Sequence, residues 1–251
     1  MKFCPVIPPS INNIVLPMPP RGMFAFATYC TGSIERPYST LYKTWQATAL
    51  QAERGPLVID CPVYEGGGFL DVPEMRRVEE YMKPDFLIVP DVRGDMEATL
   101  DRFSRYAHRL GDAATGVLQG KTWMELEYCF KAYLEAGVRR IAIPKDVSKI
   151  DVFRSDLCLQ IAAIEPEVKI HLLGADWPYV DEALAGKHKQ VISFDSAEPF
   201  NAAYANIDLA ASPPPSRPRD WLKTPNEKLG DGFVRLFQGN IEVVERLAKC
   251  S

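Results

Sequence analysis

Short apolar runs that each end in a polar residue recur along most of the chain. Four of them stop at a side chain that can act in catalysis or binding, namely Asp60, Asp91, Gln119 and Asp195. Continuous apolar runs of this length, followed closely by turn residues, are typical of buried β-strands. The pattern predicts seven strands, at residues 23–29, 56–60, 85–90, 115–119, 138–144, 168–174 and 189–195, and an eighth with weaker support at residues 206–211.

Segments with helical spacing of apolar residues lie between most of these runs. They predict helices at residues 39–54, from Val72 onward, and at 93–110, 121–137, 149–164, 177–186 and 227–248. Local signals support several of the boundaries. Thr122 followed by Glu125 is a capping-box pattern, Gly137 is a helix stop, and Pro73 occupies a first-turn position that tolerates proline.

The alternation of strands and helices, with a repeat of roughly 25–30 residues, favours a parallel α/β fold. A (β/α)8 barrel, the TIM-barrel fold, typically takes about 250 residues, and this chain has 251. We therefore predict one TIM-barrel domain over residues 1–251, with an open doubly wound sheet as the alternative. Residues 1–22 are predicted to be irregular because they hold six prolines, and residues 212–251 to form a Pro-rich connector and a C-terminal helix.

Composition excludes several classes of protein. The net charge of −4 gives no global attraction to nucleic acid, although it leaves room for a local basic face. The six cysteines lack C-x-x-C spacing, which favours reduced thiols in a cytoplasmic protein. No apolar stretch approaches the roughly 20 residues needed to span a bilayer. The glycine-rich motifs that bind dinucleotides or nucleoside triphosphates are absent, so we expect no nucleotide cofactor.

The polar strand ends are the candidate chemistry. In a parallel barrel the C-terminal ends of all strands meet on one face, where active sites are built. A single Asp at a strand end often only caps a helix or a turn, but three acids and an amide on one face can do more. Two carboxylates can divide nucleophilic and proton-transfer roles, and an Asp with a Gln can bind the edge of a purine-like base. The residues alone lead no further.

Five motifs, in order, resemble the tRNA-guanine transglycosylase superfamily, and most closely its short DNA-acting branch, the DpdA-like DNA 7-deazaguanine transglycosylases. The motifs are VIDCPVYEGG, FLIVPDVRGDMEATL, GVLQGKTWMELEYCFKAYLEAGVRRIAIPKD, IHLLG and ISFDSAEP, which together span residues 57–200. Each motif alone is weak, and the resemblance rests on their order and spacing. It implies a (β/α)8 barrel that exchanges a guanine base for a 7-deazaguanine.

The resemblance also implies roles for residues of this chain. Asp195 would be the nucleophile that attacks C1′ of the target nucleoside, and Asp60 the general acid and base. Tyr64 would stack on the base. Asp91 and Gln119 would bind the base edge, while Pro144 and Lys145 would line the base pocket with backbone groups. The expected partners are DNA and a preQ0-like 7-deazaguanine base, and a requirement for a protein partner is left open.

Departures from the tRNA-acting enzymes favour DNA as the substrate. Those enzymes carry a Cys-rich zinc site with a His after the nucleophile, whereas this chain has only Cys250 there and no His after position 188. We therefore expect no metal. The Arg pair that follows the nucleophile in the tRNA enzymes is also missing. Three alternatives remain: action on tRNA, a non-catalytic nucleic-acid-binding barrel, and an unrelated barrel lyase or aldolase with Lys145 as its catalytic lysine.

Overall fold

A computed structural model of the protein describes residues 1–6, 22–26, 55–61, 70–175, 177–214 and 230–249. The helix predicted at residues 39–54, the glycine-rich turn at residues 66–68 and Tyr64 lie outside these ranges. The described residues form a single sheet surrounded by helices, and the predicted (β/α)8 barrel is confirmed.

Eight parallel strands form the barrel. In chain order they are β1 (Lys2–Pro5), β2 (Met23–Phe26), β3 (Leu57–Asp60), β4 (Phe86–Ile88), β5 (Ala114–Val117), β6 (Arg140–Pro144), β7 (Lys169–Leu173) and β8 (Val191–Ser196). Their spatial order is β1-β8-β7-β6-β5-β4-β3-β2, and each adjacent pair is parallel. A bridge between Val6 and Phe24 joins the two ends of the sheet and closes the barrel.

The described helices lie between the strands and after them. They are α1 (Val72–Met82), α2 (Met96–Ala107), α3 (Trp123–Glu135), a 3₁₀ helix (Lys145–Ile150), α4 (Arg154–Ile164), α5 (Val180–Ala185), α6 (Glu198–Tyr204) and α7 (Asp231–Lys249). No helix in the described ranges has the length and hydrophobicity that a membrane crossing requires.

Side-chain caps explain where the first helices begin. Asp71 and Glu74 form a reciprocal capping box at the start of α1, and Asp95 accepts the Ala98 N–H at the start of α2. Thr122 caps α3 by accepting the Glu125 N–H, as predicted. The Glu125 carboxylate, however, accepts the Lys121 N–H rather than the N–H of Thr122. These caps end each strand-to-helix loop at a defined residue.

Two apolar layers hold the barrel together. The larger one packs the helices against the outside of the sheet, where Met75, Phe103 and Phe130 are buried. The smaller one fills the barrel itself with alternate strand residues, Cys4, Val6, Phe24, Val58, Phe86, Ile88, Val117 and Ala142. Because side chains alternate along a strand, the residues two positions beyond these inward-facing ones also face the interior.

Two predictions about the sheet are wrong. The eighth strand is not at residues 206–211, which form turns after α6, and the segment predicted to be irregular at residues 1–22 begins with β1. Among the described residues of that segment, Lys2–Pro5 pair with β8, starting with Lys2 opposite Ser193, and the Val6 N–H continues the contact by donating to the Ser196 carbonyl at 3.1 Å.

Candidate active site at the carboxyl ends of the strands

Asp195 lies on β8 near its carboxyl end and is 5% exposed. Its Oδ1 atom accepts two hydrogen bonds, one from the backbone N–H of Gly174 at 3.0 Å and one from Nε2 of His171, also at 3.0 Å. Its backbone carbonyl accepts the Ala175 N–H at 2.7 Å. The carboxylate is therefore held by the neighbouring strand and by the loop that follows it.

His171, on β7, extends this network into the barrel. Its ring is fully buried and contacts the rings of Phe24 and Phe86, with centroids 6.2 and 5.7 Å away. Its Nδ1 atom lies 2.8 Å from the hydroxyl of Ser193, which is also fully buried. A chain of polar contacts thus runs from Ser193 through His171 to Asp195, inside an otherwise apolar interior.

The loop after β7 is fixed by a buried arginine. Arg154 is 3% exposed and pairs with Asp181 and Glu182, and its Nη1 donates to the carbonyls of Leu173 and Gly174 at 3.3 and 3.4 Å. Gly174 has φ of +65°, a conformation that favours glycine, and this places its N–H toward Asp195. The position of the Asp195 carboxylate thus depends on a well-anchored peptide.

Asp91 and Gln119 meet on the β4–β5 side of the barrel. Gln119 Nε2 donates to Asp91 Oδ2 at 2.5 Å, and the Gly94 N–H donates to Gln119 Oε1 at 2.8 Å. Arg102 donates to the backbone carbonyl of Asp91 at 2.8 Å. Both site side chains are buried, at 8% and 5% exposure. The two predicted base-binding residues are brought together and are hydrogen-bonded to each other.

Asp60 is the last residue of β3 and is half-buried. It lies two positions after Val58, which faces the barrel interior, so Asp60 faces the same way. Burial, together with the negative charges of Asp60 and Asp91, raises the pKa of the adjacent Cys61 to about 12, against opposing effects of the Leu70 backbone and Arg102. The charges of Asp60 and Asp91 therefore both act on the Cys61 thiol.

The remaining predicted residues divide into two groups. Pro144 ends β6, and Lys145 begins the 3₁₀ helix directly after it. The Lys145 side chain is exposed and runs along Gly174, because a methyl group added to that glycine would lie 3.5 Å from Lys145 Cδ. Tyr64 is outside the described residues, so its predicted stacking role stays a prediction.

The strand order relates the acids to one another. Asp195 on β8 and Asp60 on β3 are separated by β1 and β2, and Asp91 and Gln119 follow β4 and β5 on the other side of Asp60. Cys4 of β1 pairs in register with Asp195, and Phe26 of β2 pairs with Asp60. All four polar side chains therefore lie at the carboxyl ends of strands in one closed barrel.

Cations near this end are partly neutralised by an acid. Arg93 and Lys149 both pair with Asp146, in the latter case at 2.6 Å. Burial acts to raise the pKa of Asp146, but the hydrogen bonds from Lys149 and Arg93 outweigh it and lower the pKa below its ordinary value. Arg93 and Lys149 are thus already engaged with a carboxylate.

Two further features lie apart from these residues. A surface pocket of about 360 Å³ is lined by Val72, Pro73, Arg76, Arg77, Glu80 and Arg109, none of which is a predicted site residue. Within the described ranges, no group of three or more His, Cys, Asp or Glu side chains is arranged to hold a metal ion. The expectation of a metal-free site stays a prediction.

Sequence reasoning missed His171 and Ser193. Both belong to predicted strands and to the motifs IHLLG and ISFDSAEP, but neither receives a role from the sequence. The signal was available in the alternation: Ser193 is two positions before Asp195 and so faces the same side of its strand. A polar residue on the inward face of a barrel strand needs a polar partner, and His171 on the neighbouring strand provides it.

Comparisons with known proteins support the fold but identify no family. No family model matches the chain, and no curated protein matches it. A solved structure from Coccidioides immitis, described as "a putative fructose-1,6-biphosphate aldolase", is similar with a TM-score of 0.55 and 12% sequence identity. The match covers 99% of this chain and 91% of that one. At this identity the likeness establishes a shared barrel architecture.

Proposed function

We propose that the protein is a DNA-guanine transglycosylase, which exchanges guanine in DNA for a 7-deazaguanine base. The observation that supports this most is the Asp195 carboxylate, held through one oxygen at the carboxyl end of β8, in the same barrel mouth as Asp60. A held carboxylate facing a second acid suits double displacement at a sugar carbon.

The reaction has two balanced steps. Asp195 attacks C1′ of the deoxynucleoside, and the C1′–N9 bond breaks as guanine leaves with a proton from Asp60. The incoming base then gives a proton to Asp60 and attacks C1′, which breaks the ester and restores the Asp195 carboxylate. The target nucleotide must be single-stranded or extruded from the duplex, since C1′ is otherwise inaccessible.

The Asp91–Gln119 pair suits recognition of the base. A carboxylate has two acceptor oxygens and an amide has two N–H donors, so the pair combines both kinds of group that a base edge requires. Guanine and 7-deazaguanines present donors next to an acceptor along one edge. In this proposal Asp91 accepts from the base while Gln119 holds Asp91 in place.

A lysine-based aldolase is less well supported. A Schiff-base lysine is normally activated by desolvation or by a neighbouring cation, and Lys145 is exposed. The similarity to a protein described as an aldolase is a similarity of fold, since the two chains share 12% of their residues.

Incubation with labelled 7-deazaguanine and either duplex DNA, single-stranded DNA or tRNA tests the proposal. We expect label in DNA, and a denaturation-resistant protein–DNA adduct with the wild-type protein but not with Asp195→Asn. Asp85→Asn is a matched control, because Asp85 precedes β4 at the opposite end of the barrel and bonds the Leu57 N–H at 2.9 Å.

The outcomes separate the alternatives. Label in tRNA alone would support the tRNA-acting reading and overturn the DNA proposal. Binding of the base without exchange on any nucleic acid would support the non-catalytic barrel. Equal exchange by wild type and Asp195→Asn would remove Asp195 from the chemistry.

A further inference from the structure

The two oxygens of the Asp195 carboxylate are in different environments. Both hydrogen bonds to this side chain, from His171 Nε2 and from the Gly174 N–H, converge on Oδ1. No described residue donates a hydrogen bond to Oδ2. A carboxylate held in this way is asymmetric, because its bonded oxygen is stabilised as an acceptor while the other keeps its lone pairs for a ligand.

We propose that His171 is a positioning residue that selects Oδ2 of Asp195 as the reacting oxygen, with the Ser193 hydroxyl donating to Nδ1 of the imidazole. This inference rests on the proposed function for its chemistry, whereas the tautomer is a property of the free protein. Nothing in the motif resemblance assigns a role to His171 or Ser193.

The surroundings of His171 define which ring nitrogen carries the proton. The ring has no exposed surface and is flanked by Phe24 and Phe86. The proposed arrangement has a neutral ring. A neutral ring has one N–H, and an ionised Asp195 requires that it be on Nε2. Nδ1 is then an acceptor for the hydroxyl of Ser193.

Cys4 is a second neighbour of the Ser193 hydroxyl. Its thiol donates to the carbonyl of Pro56 at 3.6 Å, so its proton is not directed at Ser193. Burial raises the pKa of Cys4 well above its ordinary value and the charge of Asp195 adds to this, whereas a hydrogen bond from Ser193 acts to lower it. The protonated thiol and Nδ1 of His171 are thus the two acceptors within reach of the Ser193 hydroxyl, and the imidazole nitrogen is the stronger acceptor.

The consequence for the reaction is geometric. When Oδ2 forms the ester to C1′, Oδ1 becomes the ester carbonyl oxygen and still accepts from His171 and Gly174. The same two donors therefore serve the carboxylate before attack and the ester after it, with no rearrangement of buried groups. Loss of the His171 donor would let the carboxylate rotate and present either oxygen.

Three variants test this arrangement. His171→Leu places an apolar side chain among Phe24 and Phe86 and removes the donor, His171→Gln restores a donor, and Ser193→Ala removes the donor to Nδ1. A positioning role predicts that His171→Leu lowers the rate of adduct formation at saturating DNA about 100-fold, while DNA affinity changes by less than about threefold. His171→Gln should recover about tenfold of that loss, and its failure to exceed His171→Leu would contradict the role.

Nitrogen NMR of ¹⁵N-histidine-labelled protein reads the tautomer without any reaction. The protein has three histidines, and His171→Gln identifies the signal of interest. We expect His171 as the Nε2–H tautomer in the wild type, and in Ser193→Ala the same tautomer with a shifted Nδ1 signal, because Nδ1 loses its hydrogen-bond donor. A wild-type ring protonated on Nδ1 alone would overturn the inference, as would a Ser193→Ala spectrum identical to that of the wild type.

The two levels of the argument fail in different ways. If wild-type protein forms no adduct with any nucleic acid, the proposed function fails, and the NMR result still decides the tautomer. If the wild type forms the adduct and folded His171→Leu forms it at the same rate, only the role of His171 fails. Thermal unfolding of each variant establishes that it is folded before rates are compared.

Discussion

On two sides of the barrel mouth, a glycine N–H in the loop after a strand donates to a polar side chain. After β7, Gly174 has φ of +65° and donates its N–H to Asp195 on the next strand. After β4, Gly94 also has φ of +65° and donates its N–H to Gln119 beyond the next strand. In each case a glycine in a strand-end loop fixes a polar side chain of the following unit.

The difference lies in what the fixed side chain contacts next. Asp195 is held by a buried imidazole and keeps one oxygen without a donor from the described residues. Asp91 has one oxygen bonded to the Gln119 amide at 2.5 Å. In the proposed function, the first arrangement leaves a carboxylate oxygen for attack, and the second provides a pair of groups that bind the base. Two acids at equivalent strand ends thus acquire different chemistry from their neighbours.

The largest effect is expected from Asp195→Asn. The amide can still accept from His171 and Gly174 through its oxygen, so the fold should be kept, but it cannot form the glycosyl ester. We expect base exchange to fall by about 1,000-fold or more, measured as incorporation of labelled base into DNA. Activity within tenfold of wild type would contradict the assignment.

Substitutions of Asp91 and Gln119 should have an intermediate effect. Asp91→Asn alone should lower kcat/KM about 10- to 100-fold, mostly through weaker base binding, because a hydrogen bond to a charged group contributes roughly 1.5–3 kcal/mol. The double variant Asp91→Asn with Gln119→Glu keeps one acid and one amide. Thermal unfolding should show its stability restored. Restored activity as well would mean that the pair is structural and does not read the base.

Alanine at the two glycines sharpens the comparison further. Gly174→Ala and Gly94→Ala should each cost about 1 kcal/mol of folding free energy, since a φ of +65° disfavours a side chain. Space is not limiting, because a methyl group at Gly174 meets only Lys145 at 3.5 Å and one at Gly94 meets nothing within 4 Å. Chemical denaturation measures this cost.

The kinetic readouts of the two alanine variants should differ. Gly174→Ala should lower the rate of adduct formation, because it shifts a donor to Asp195, whereas Gly94→Ala should raise KM for the base. Identical kinetic changes in both variants would mean that the two sides do not have separate roles.

The smallest effect concerns the buried thiols. Burial raises the pKa of Cys61 to about 12, of Cys158 to about 12 and of Cys129 to about 11. These thiols should therefore resist iodoacetamide at neutral pH until the protein unfolds. Between pH 9 and these values the unfolded chain loses protons that the folded chain retains, so the free energy of unfolding should fall as pH rises.

Cysteine variants test that pH dependence directly. Urea unfolding above pH 9 should show a smaller fall in the free energy of unfolding for Cys158→Ala than for the wild type. Cys61→Ala, next to Asp60, should have the same effect. Rapid alkylation of either cysteine in the folded protein at pH 8 would contradict the account.

The sequence was sufficient for most of the barrel because its central strands are buried on both faces. Runs such as residues 86–89 are then continuously apolar, and the observed strand is Phe86–Ile88. It was not sufficient for β1, which is short, ends in Pro5 and pairs with a strand near the other end of the chain. A local pattern carries no information about that distant partner, so the sequence predicts the eighth strand at residues 206–211 instead.

The site likewise has features that the sequence predicts and features that it does not. Strand-end acids can be found from sequence because each interrupts an apolar run. The Asp91–Gln119 bond also follows from placing β4 beside β5. The support for Asp195 could not be read as easily, because it comes from a histidine in a different apolar run and from the backbone of Gly174. Backbone donors are the same for every residue type except proline and leave no mark in a sequence.

Mass spectrometry of the adduct between the wild-type protein and guanine-containing DNA tests the central claim most directly. The account predicts one deoxyribosyl ester, located by peptide mapping at Asp195, with one guanine released for each ester formed. An ester on Asp60 or on another residue, or turnover of base with no covalent species under conditions that trap esters, would contradict it.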